Sequence, residues 1–407
     1  MTRATLWALT LVACSHTSPA NTTAATSTGS ETSAPGATGS GSDDARGSSG
    51  AYDGGSSGIV PGADDGLGAD FVVRGGTVLG AGRVDMRVRD GRIVELGALM
   101  PDDDEGVLDA SDRFVVPSFI DSHVHLAYAF DAPTLARGGL AGAVDLAAPI
   151  DFLAQSHAPL QLRATGPMIT AVDGYPTQGW GAGGFGLEVA DADAARAAVD
   201  RLAAAGVAAI KLPIGEAPSL DDAAITAVVD RAHALGLPVV AHALADADAA
   251  RAAALGVDIL AHTPVEALAE RTVQAWAGRT VITTLVAFGG RRSTIDNLRR
   301  LREAGVSVLY GTDLGNTGPP AIDADELDLM IAAGLDGAAI LDAGARTPAA
   351  TWHFDGLGSL TAGARASFLV VARDPEVDPR VLAEPDVVVL DGVVQMPLPT
   401  AGDGLAG

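Results

Sequence analysis

The sequence predicts an α/β fold: a (β/α)8 TIM barrel carrying a small β-sandwich built from both ends of the ordered chain. Three observations predict it. Between about residues 114 and 350, short apolar runs alternate with Ala-rich amphipathic stretches, in the number that strand–helix units take in such a barrel. Short β-type runs flank this insert on both sides. Apolar residues make up 48% of the chain, enough for a domain of this size to bury roughly three-quarters of its unfolded surface.

The apolar runs are 114–120, 142–146, 160–169, 207–212, 237–241, 257–261, 280–286 and 306–310, with helices expected between several of them at 191–205, 220–235 and 294–304. The stretches 190–198 and 245–253 both read ADADAARAA. They are better read as two Asp-capped helix starts, in a chain biased to Ala and Asp, than as a structural repeat. Ahead of the insert, runs at 71–73, 84–88 and 92–96 read as strands, the last two joined by Asp90-Gly91, a hairpin signal. Behind it, runs at 368–371, 387–390 and 393–395 repeat that grammar around Asp391-Gly392. The expected division is a composite β-sandwich of 69–113 with 360–399 around a barrel of 114–359. Two unrelated terminal hairpins fit the same runs.

At the N-terminus, Arg3 precedes an apolar run, 4–13, that is too short to span a bilayer but suits a secretory h-region. Leu11-Val12-Ala13-Cys14 resembles the bacterial lipoprotein signal, in which the Cys is lipidated and becomes the new N-terminus. An ordinary secretory signal with Cys14 near its cleavage site reads the same way. The resemblance implies a signal peptide over 1–14, export, and lipid anchoring to the cell envelope. With Ser15 next, it implies the outer membrane where the host has one. Residues 15–68 are Ser, Thr, Gly, Ala and Asp with almost no large apolar side chain. Such a stretch buries too little surface to offset chain entropy, so it is expected to be a disordered tether with a reach of roughly 40 Å. Membrane contact is then expected only through the lipid.

Fifty-one Asp and Glu against 26 Lys and Arg give a formal net charge of −25. Phosphate would be repelled and no basic patch survives, which excludes nucleic acid as a partner. The acidity suits cationic substrates, or simply the solubility of an exported protein. The single Cys excludes a disulfide framework and any multi-Cys zinc site. Of the 26 basic residues, only Lys211 is a lysine; the others are arginine.

Chemistry-bearing residues recur at the ends of the apolar runs. His123-Val124-His125 follows the first; residues i and i+2 of a strand share a side, so both imidazoles can meet one ion. Lys211 ends the fourth run, His242 the fifth, His262 the sixth and Asp313 the eighth. In a (β/α)8 barrel these are the C-terminal strand ends, where catalytic groups gather. A single buried histidine there is ordinarily a hydrogen-bonded core residue; the joint placement of all of them is not explained that way. His16, His157, His233 and His353 lie in segments without ligand partners.

Several segments together resemble the amidohydrolase superfamily over roughly 69–396. They are Val116-Pro117-Ser118-Phe119-Ile120-Asp121-Ser122-His123-Val124-His125, Ile210-Lys211-Leu212-Pro213, Val240-Ala241-His242-Ala243, Leu260-Ala261-His262-Thr263 and Tyr310-Gly311-Thr312-Asp313. The chain looks most like the binuclear members related to imidazolonepropionase-like proteins and Xaa-Pro dipeptidases. The resemblance implies two divalent metal ions, usually Zn2+. His123, His125 and Asp313 would hold the first, and His242 and His262 the second. Lys211, carbamylated by CO2, would bridge them. A carbamate is an anion with one oxygen for each metal, and arginine cannot form it because a guanidinium does not give up its proton. The implied mechanism is attack of a metal-bridging hydroxide on a polarised carbonyl, with Asp313 carrying the proton to the leaving nitrogen.

The small-molecule substrate is less legible. Many relatives carry a His near the position of Tyr175, and this chain does not. Tyr175 offers a phenolic hydrogen bond in its place, and Tyr128 and Asn316 are further candidates at the mouth. Apart from Arg291-Arg292, no base lies in the mouth loops to clamp a carboxylate, which weighs against a dipeptidase. Residues 181–186 match G-x-G-x-x-G but open no Rossmann-type helix, and read as a Gly-rich loop or lid. Hydrolysis of an amide-type C–N bond is the expected activity. A lactonase or esterase on the same centre, a mononuclear deaminase, and an inactive surface-binding lipoprotein are the alternatives.

Overall fold

The computed structural model describes residues 67–395 apart from 216, 316 and 317. The expected signal segment, and the expected tether up to residue 66, lie outside the described residues. The described fold is mixed α/β. Phe119–Val124 and Leu140–Asp145 are strands buried at every position, as parallel strands covered on both faces are. Gln161–Ala164 joins them in a three-stranded parallel sheet. Ile210–Pro213, Val239–His242, Ile259–Leu260, Thr280–Ile282 and Ser307–Leu309 form a five-stranded parallel sheet in chain order. Backbone hydrogen bonds link the two sheets on both sides. Ser122, Asp313 and His125 donate to Tyr310, His123 and Leu314 at 2.9, 2.8 and 2.7 Å, and Ala208 donates to Ala164 at 2.8 Å.

Helices cover these sheets. Ala192–Ala204 buries Ala195, Ala198, Val199 and Leu202, an i, i+3, i+4, i+7 stripe, and Asp191 caps it by accepting from the Asp193 and Ala194 amides. The second copy of the nonapeptide departs from expectation. Asp246–Ala254 starts without a side-chain cap, and the Asp246 carboxylate accepts from the Ala269 amide across a loop instead.

Two runs break differently from the sequence reading. The 114–120 run is two strands, and Phe114–Pro117 pairs with Phe368–Val371 rather than joining the parallel sheets. The 160–169 run breaks around Gly166, which has a φ of +67°. Its second half, Met168–Ala171, pairs in parallel with Gly186–Val189, so the ends of the loop between them are pinned side by side. Thr77–Val78, Gly82–Arg83 and Gly106–Asp109 are strands too short for periodicity to register.

Both chain ends share one sheet: Val393–Gln395, Val387–Leu390, Phe368–Val371, Phe114–Pro117, Thr77–Val78 and Gly82–Arg83. A second sheet holds Arg92–Gly97, Asp85–Arg89, Phe71–Arg74 and Gly106–Asp109. Phe71, Met86, Ile93, Phe368 and Val389 from both sheets lie in one apolar cluster, which excludes two unrelated hairpins. Asp90-Gly91 (φ +49°, +70°) and Asp391-Gly392 (φ +50°, +78°) are the hairpin turns expected. Among the described residues, no helix is long and apolar enough to cross a membrane.

Two expectations follow. Gly344 sits in a π-helical turn, Asp342–Arg346, where an added Cβ would lie 2.2 Å from the Phe119 ring. Because Phe119 is fully buried and packs edge-on against Tyr310 at 5.4 Å, the ring has nowhere to go. Gly344→Ala should cost about 1–3 kcal/mol, read as a lower urea midpoint at unchanged slope. Glu326 is fully buried, and its carboxylate oxygens accept from the Leu285 and Val286 amides at 2.9 and 2.8 Å. Burial outweighs those bonds and pushes its pKa up to about 7. A carboxyl that holds its proton more tightly when folded stabilises the fold below its unfolded pKa, and that stabilisation is lost as pH rises towards 7. Urea unfolding at pH 4 to 7 should show declining stability, and Glu326→Gln should make the decline shallower.

Candidate metal centre

Each expected ligand lies in a parallel strand or just beyond its end. His123 lies in Phe119–Val124 and His125 directly follows it; Lys211 lies within Ile210–Pro213 and His242 ends Val239–His242. His262 and Asp313 follow Ile259–Leu260 and Ser307–Leu309. The structure brings all of them together, and all are buried. The imidazole of His123 is centred 5.2 Å from that of His125 and 4.5 Å from that of His262, which lies 4.8 Å from His242. Asp313 Oδ1 is 3.0 Å from His125 Nε2 and 3.4 Å from His123 Nε2. The tightest grouping is His123, His262 and Asp313, whose ligand atoms lie within 4.8 Å of one another. It crosses the division of ligands that the resemblance implies, with Asp313 and His123 common to both.

The protonation states suit cation binding. Burial, then the charge of Lys211, pushes the His242 pKa down to about 3. Burial does the same to His123 and His262, which stay well below the ordinary imidazole value. These imidazoles are therefore neutral and offer lone pairs. Burial opposes ionisation of Asp313, yet its imidazole neighbours, His125 at hydrogen-bond distance among them, hold the carboxyl below the usual carboxylate range. Burial lowers the Lys211 ammonium to about 7 against the pull of Asp313 and Asp145. His123 Nδ1 donates to the Ala261 carbonyl at 2.8 Å, which turns Nε2, buried and without a hydrogen-bond partner, into the free lone pair. Lys211 Nζ is likewise buried and has no hydrogen-bond partner. Buried polar atoms left without partners are costly, and a bound cation would satisfy the His123 lone pair. The residues fit a metal site.

Several supporting residues were not singled out from the sequence. Asp121 accepts from the His123 amide at 2.9 Å and from the Thr312 hydroxyl at 2.7 Å, tying the first strand end to the last; burial pushes its pKa up to about 7. Asp145 accepts from the Ala127 and Ala147 amides at 2.9 and 3.0 Å and faces His125 electrostatically. Thr284 places its hydroxyl 3.0 Å from His262 Nδ1, at a φ of +44° that is strained for a β-branched residue. A polar residue inside an apolar run was the available signal for Asp145 and Thr284. Tyr175 stacks at 5.4 Å from His242. Tyr128 is 51% exposed and 6.0 Å from Trp180, which in turn lies 5.1 Å from His125. Asn316 and Cys14 lie outside the described residues.

The amidohydrolase family model matches residues 114–397. The chain belongs to the amidohydrolase family. This is a family of metal-dependent hydrolases of carbon–nitrogen bonds acting on small molecules. The chain is 29% identical over 192 residues to an allantoinase of Desulfitobacterium hafniense (strain Y51), a match covering 42% of this amidohydrolase and 40% of that relative. It thus spans well under half the length of that curated relative. Among solved structures, a Xaa-Pro dipeptidase with bound methionine superposes with a TM-score of 0.68 at 19% identity, covering 80% of this chain and 99% of the other. Phenylurea hydrolase B gives 0.65 at 17%, covering 81% and 100%, and an A. niger ochratoxinase gives 0.65 at 17%, covering 82% and 97%. At these identities the likeness shows the fold alone.

Because partners behind a ligating imidazole fix its orientation and basicity, Thr284→Val should weaken metal binding by about 10–100-fold in chelator competition. The substitution keeps the β-branch, and with it the backbone strain, and removes only the hydroxyl.

Proposed function

We propose that this amidohydrolase hydrolyses an amide-type C–N bond at a binuclear centre of His123, His125, Lys211, His242, His262 and Asp313. The observation that carries the reading is Lys211 Nζ, buried without a hydrogen-bond partner and within electrostatic reach of His123, His242, His262 and Asp313. An amine with its ammonium lowered to about 7 is substantially unprotonated at neutral pH. Its lone pair can attack CO2 to form a carbamate with loss of one proton, which converts a buried neutral amine into an anion. Divalent ions held there, zinc by resemblance, would lower the pKa of water and withdraw electrons from a carbonyl. Asp313, ionised and in contact with two imidazoles, accepts the attacking water's proton on a carboxylate oxygen and delivers it to the leaving nitrogen. His123 is held by Ala261 and Asp121, so the strand ends need not reorganise as charge develops.

The parallel sheets are read as one closed (β/α)8 barrel, supported by the backbone bonds joining Ser122 to Tyr310 and Ala208 to Ala164. The two terminal sheets are read as the sandwich beside it. Export and lipid anchoring at Cys14 through a tether rest on the sequence pattern alone. A lactone or other ester carbonyl would meet the same groups, so ester hydrolysis is the second reading.

Full-length protein purified from medium with zinc and bicarbonate should carry about two metal ions per chain. Lys211→Ala should hold fewer and lose activity, and short carboxylates should restore part of it. One metal, indifferent to Lys211, would move the reading to a mononuclear deaminase; none would leave a binding protein.

A further inference from the structure

Aromatic residues are 4% of this chain, yet rings gather over the centre. Trp180 is the hub. Its ring lies 5.1 Å from His125, 5.7 Å from Phe185, 6.0 Å from Tyr128 and 6.1 Å from Tyr175. Tyr128 and Phe185 close a triangle with it at 6.2 Å. Tyr128 meets Trp180 and Phe185 edge to face, with interplanar angles of 72° and 81°, while Trp180 and Phe185 are tilted at 58°. The indole N–H donates to the Tyr175 hydroxyl at 3.0 Å, so its direction is fixed. The loop that carries Tyr175, Trp180 and Phe185 is anchored at both ends by the parallel pairing of Met168–Ala171 with Gly186–Val189.

This surface is open. Tyr128 is 51% exposed, and Phe130 and Val172, which belong to the same strand-end loops, are 48% and 49% exposed. Isolated exposed apolar residues are ordinary, but a group of them around a polar centre marks a binding surface. The charges acting most strongly on the centre are its own members and Asp145; no arginine is among them. Arg292 acts on Asp296 of its own helix. The rings of Tyr128, Trp180 and Phe185 themselves carry no positive charge for a substrate carboxylate.

We propose that Tyr128, Trp180 and Phe185 form a specificity subsite that takes a flat, uncharged aromatic substituent of the scissile amide. The inference rests on the metal centre being the hydrolytic site. An added ring extends an edge-to-face cluster by the same geometry that built it, whereas a puckered ring of equal size gains only the area term.

The test exploits the tryptophans. Trp276 and Trp352 are buried, so among the described residues Trp180 is the tryptophan that meets solvent, and its emission reports the subsite. Acetanilide, N-cyclohexylacetamide, N-acetylglycine and acetylcholine would be titrated into full-length protein, zinc-loaded and chelator-treated, by fluorescence and calorimetry. Acetanilide should quench emission and bind about 10-fold more tightly than N-cyclohexylacetamide. Trp180→Ala should abolish that preference at unchanged metal content. Trp180→Phe should keep the preference and lose the quench, which also measures the background from the other three tryptophans. Tyr128→Ala, at a half-exposed position, should weaken the preference without unfolding. Equal binding of the two amides, or preference for N-acetylglycine or acetylcholine, would overturn the proposal. An intact ring preference in protein that binds no metal and hydrolyses no amide would instead sink the catalytic reading and leave the subsite standing.

Discussion

Lys211 is enclosed on a strand buried at all of its positions, and its nitrogen meets no hydrogen-bond acceptor. A charged ammonium in that position is strongly penalised, and the nearest anions, Asp313 and Asp145, offset the penalty only in part. The surrounding imidazoles, held neutral by the same burial, add no negative charge to offset it. The strand ends therefore hold a set of donor atoms whose mutual tolerance depends on something further arriving between them. The rest of the molecule keeps those atoms in place until it does.

That holding is done from outside the cluster. Asp121 receives both the His123 amide and the Thr312 hydroxyl, so one carboxylate sets the first strand end against the last. At Gly311 an added Cβ would fall 2.4 Å from Ile282 and 3.1 Å from the His123 amide, so the chain can approach there only without a side chain. Phe130, Asp173, Thr284 and Asp313 all have positive φ at strand-end loops, half of the non-glycine residues so strained among those described. Strain concentrated where side chains must be aimed is retained because packing elsewhere over-determines it.

The buried cluster of His, Lys and Asp was legible in the sequence because each member is a chemistry-bearing residue at or near the end of an apolar run. The hairpins were legible for a similar reason: Asp-Gly at Asp90 and Asp391 encodes its own backbone geometry. Other features depend on partners distant in the chain. Nothing local says that Phe114–Pro117 leaves the parallel sheets to pair with Phe368–Val371, since its apolar pattern continues into Phe119–Val124. Trp180 sits among glycines in a loop, and only the folded arrangement brings it to His125. The Asp cap read at the second nonapeptide failed because Ala269, far along the chain, competes for the Asp246 carboxylate.

The use of one lysine among 26 basic residues then takes on a chemical meaning. Arginines pair with carboxylates away from the centre: Arg87 and Arg89 share Glu105, Arg113 reaches Asp386, and Arg251 reaches Asp222. A guanidinium suits such forked pairing and keeps its proton throughout the accessible pH range. The same property disqualifies it at position 211, where the group must lose a proton to be tolerated at all. Carbon dioxide needs an unprotonated amine, and the only lysine side chain in the sequence lies where burial produces one. Under the proposed carbamylation, burial alone would pick out Lys211, and the sequence holds no other lysine to compete with it.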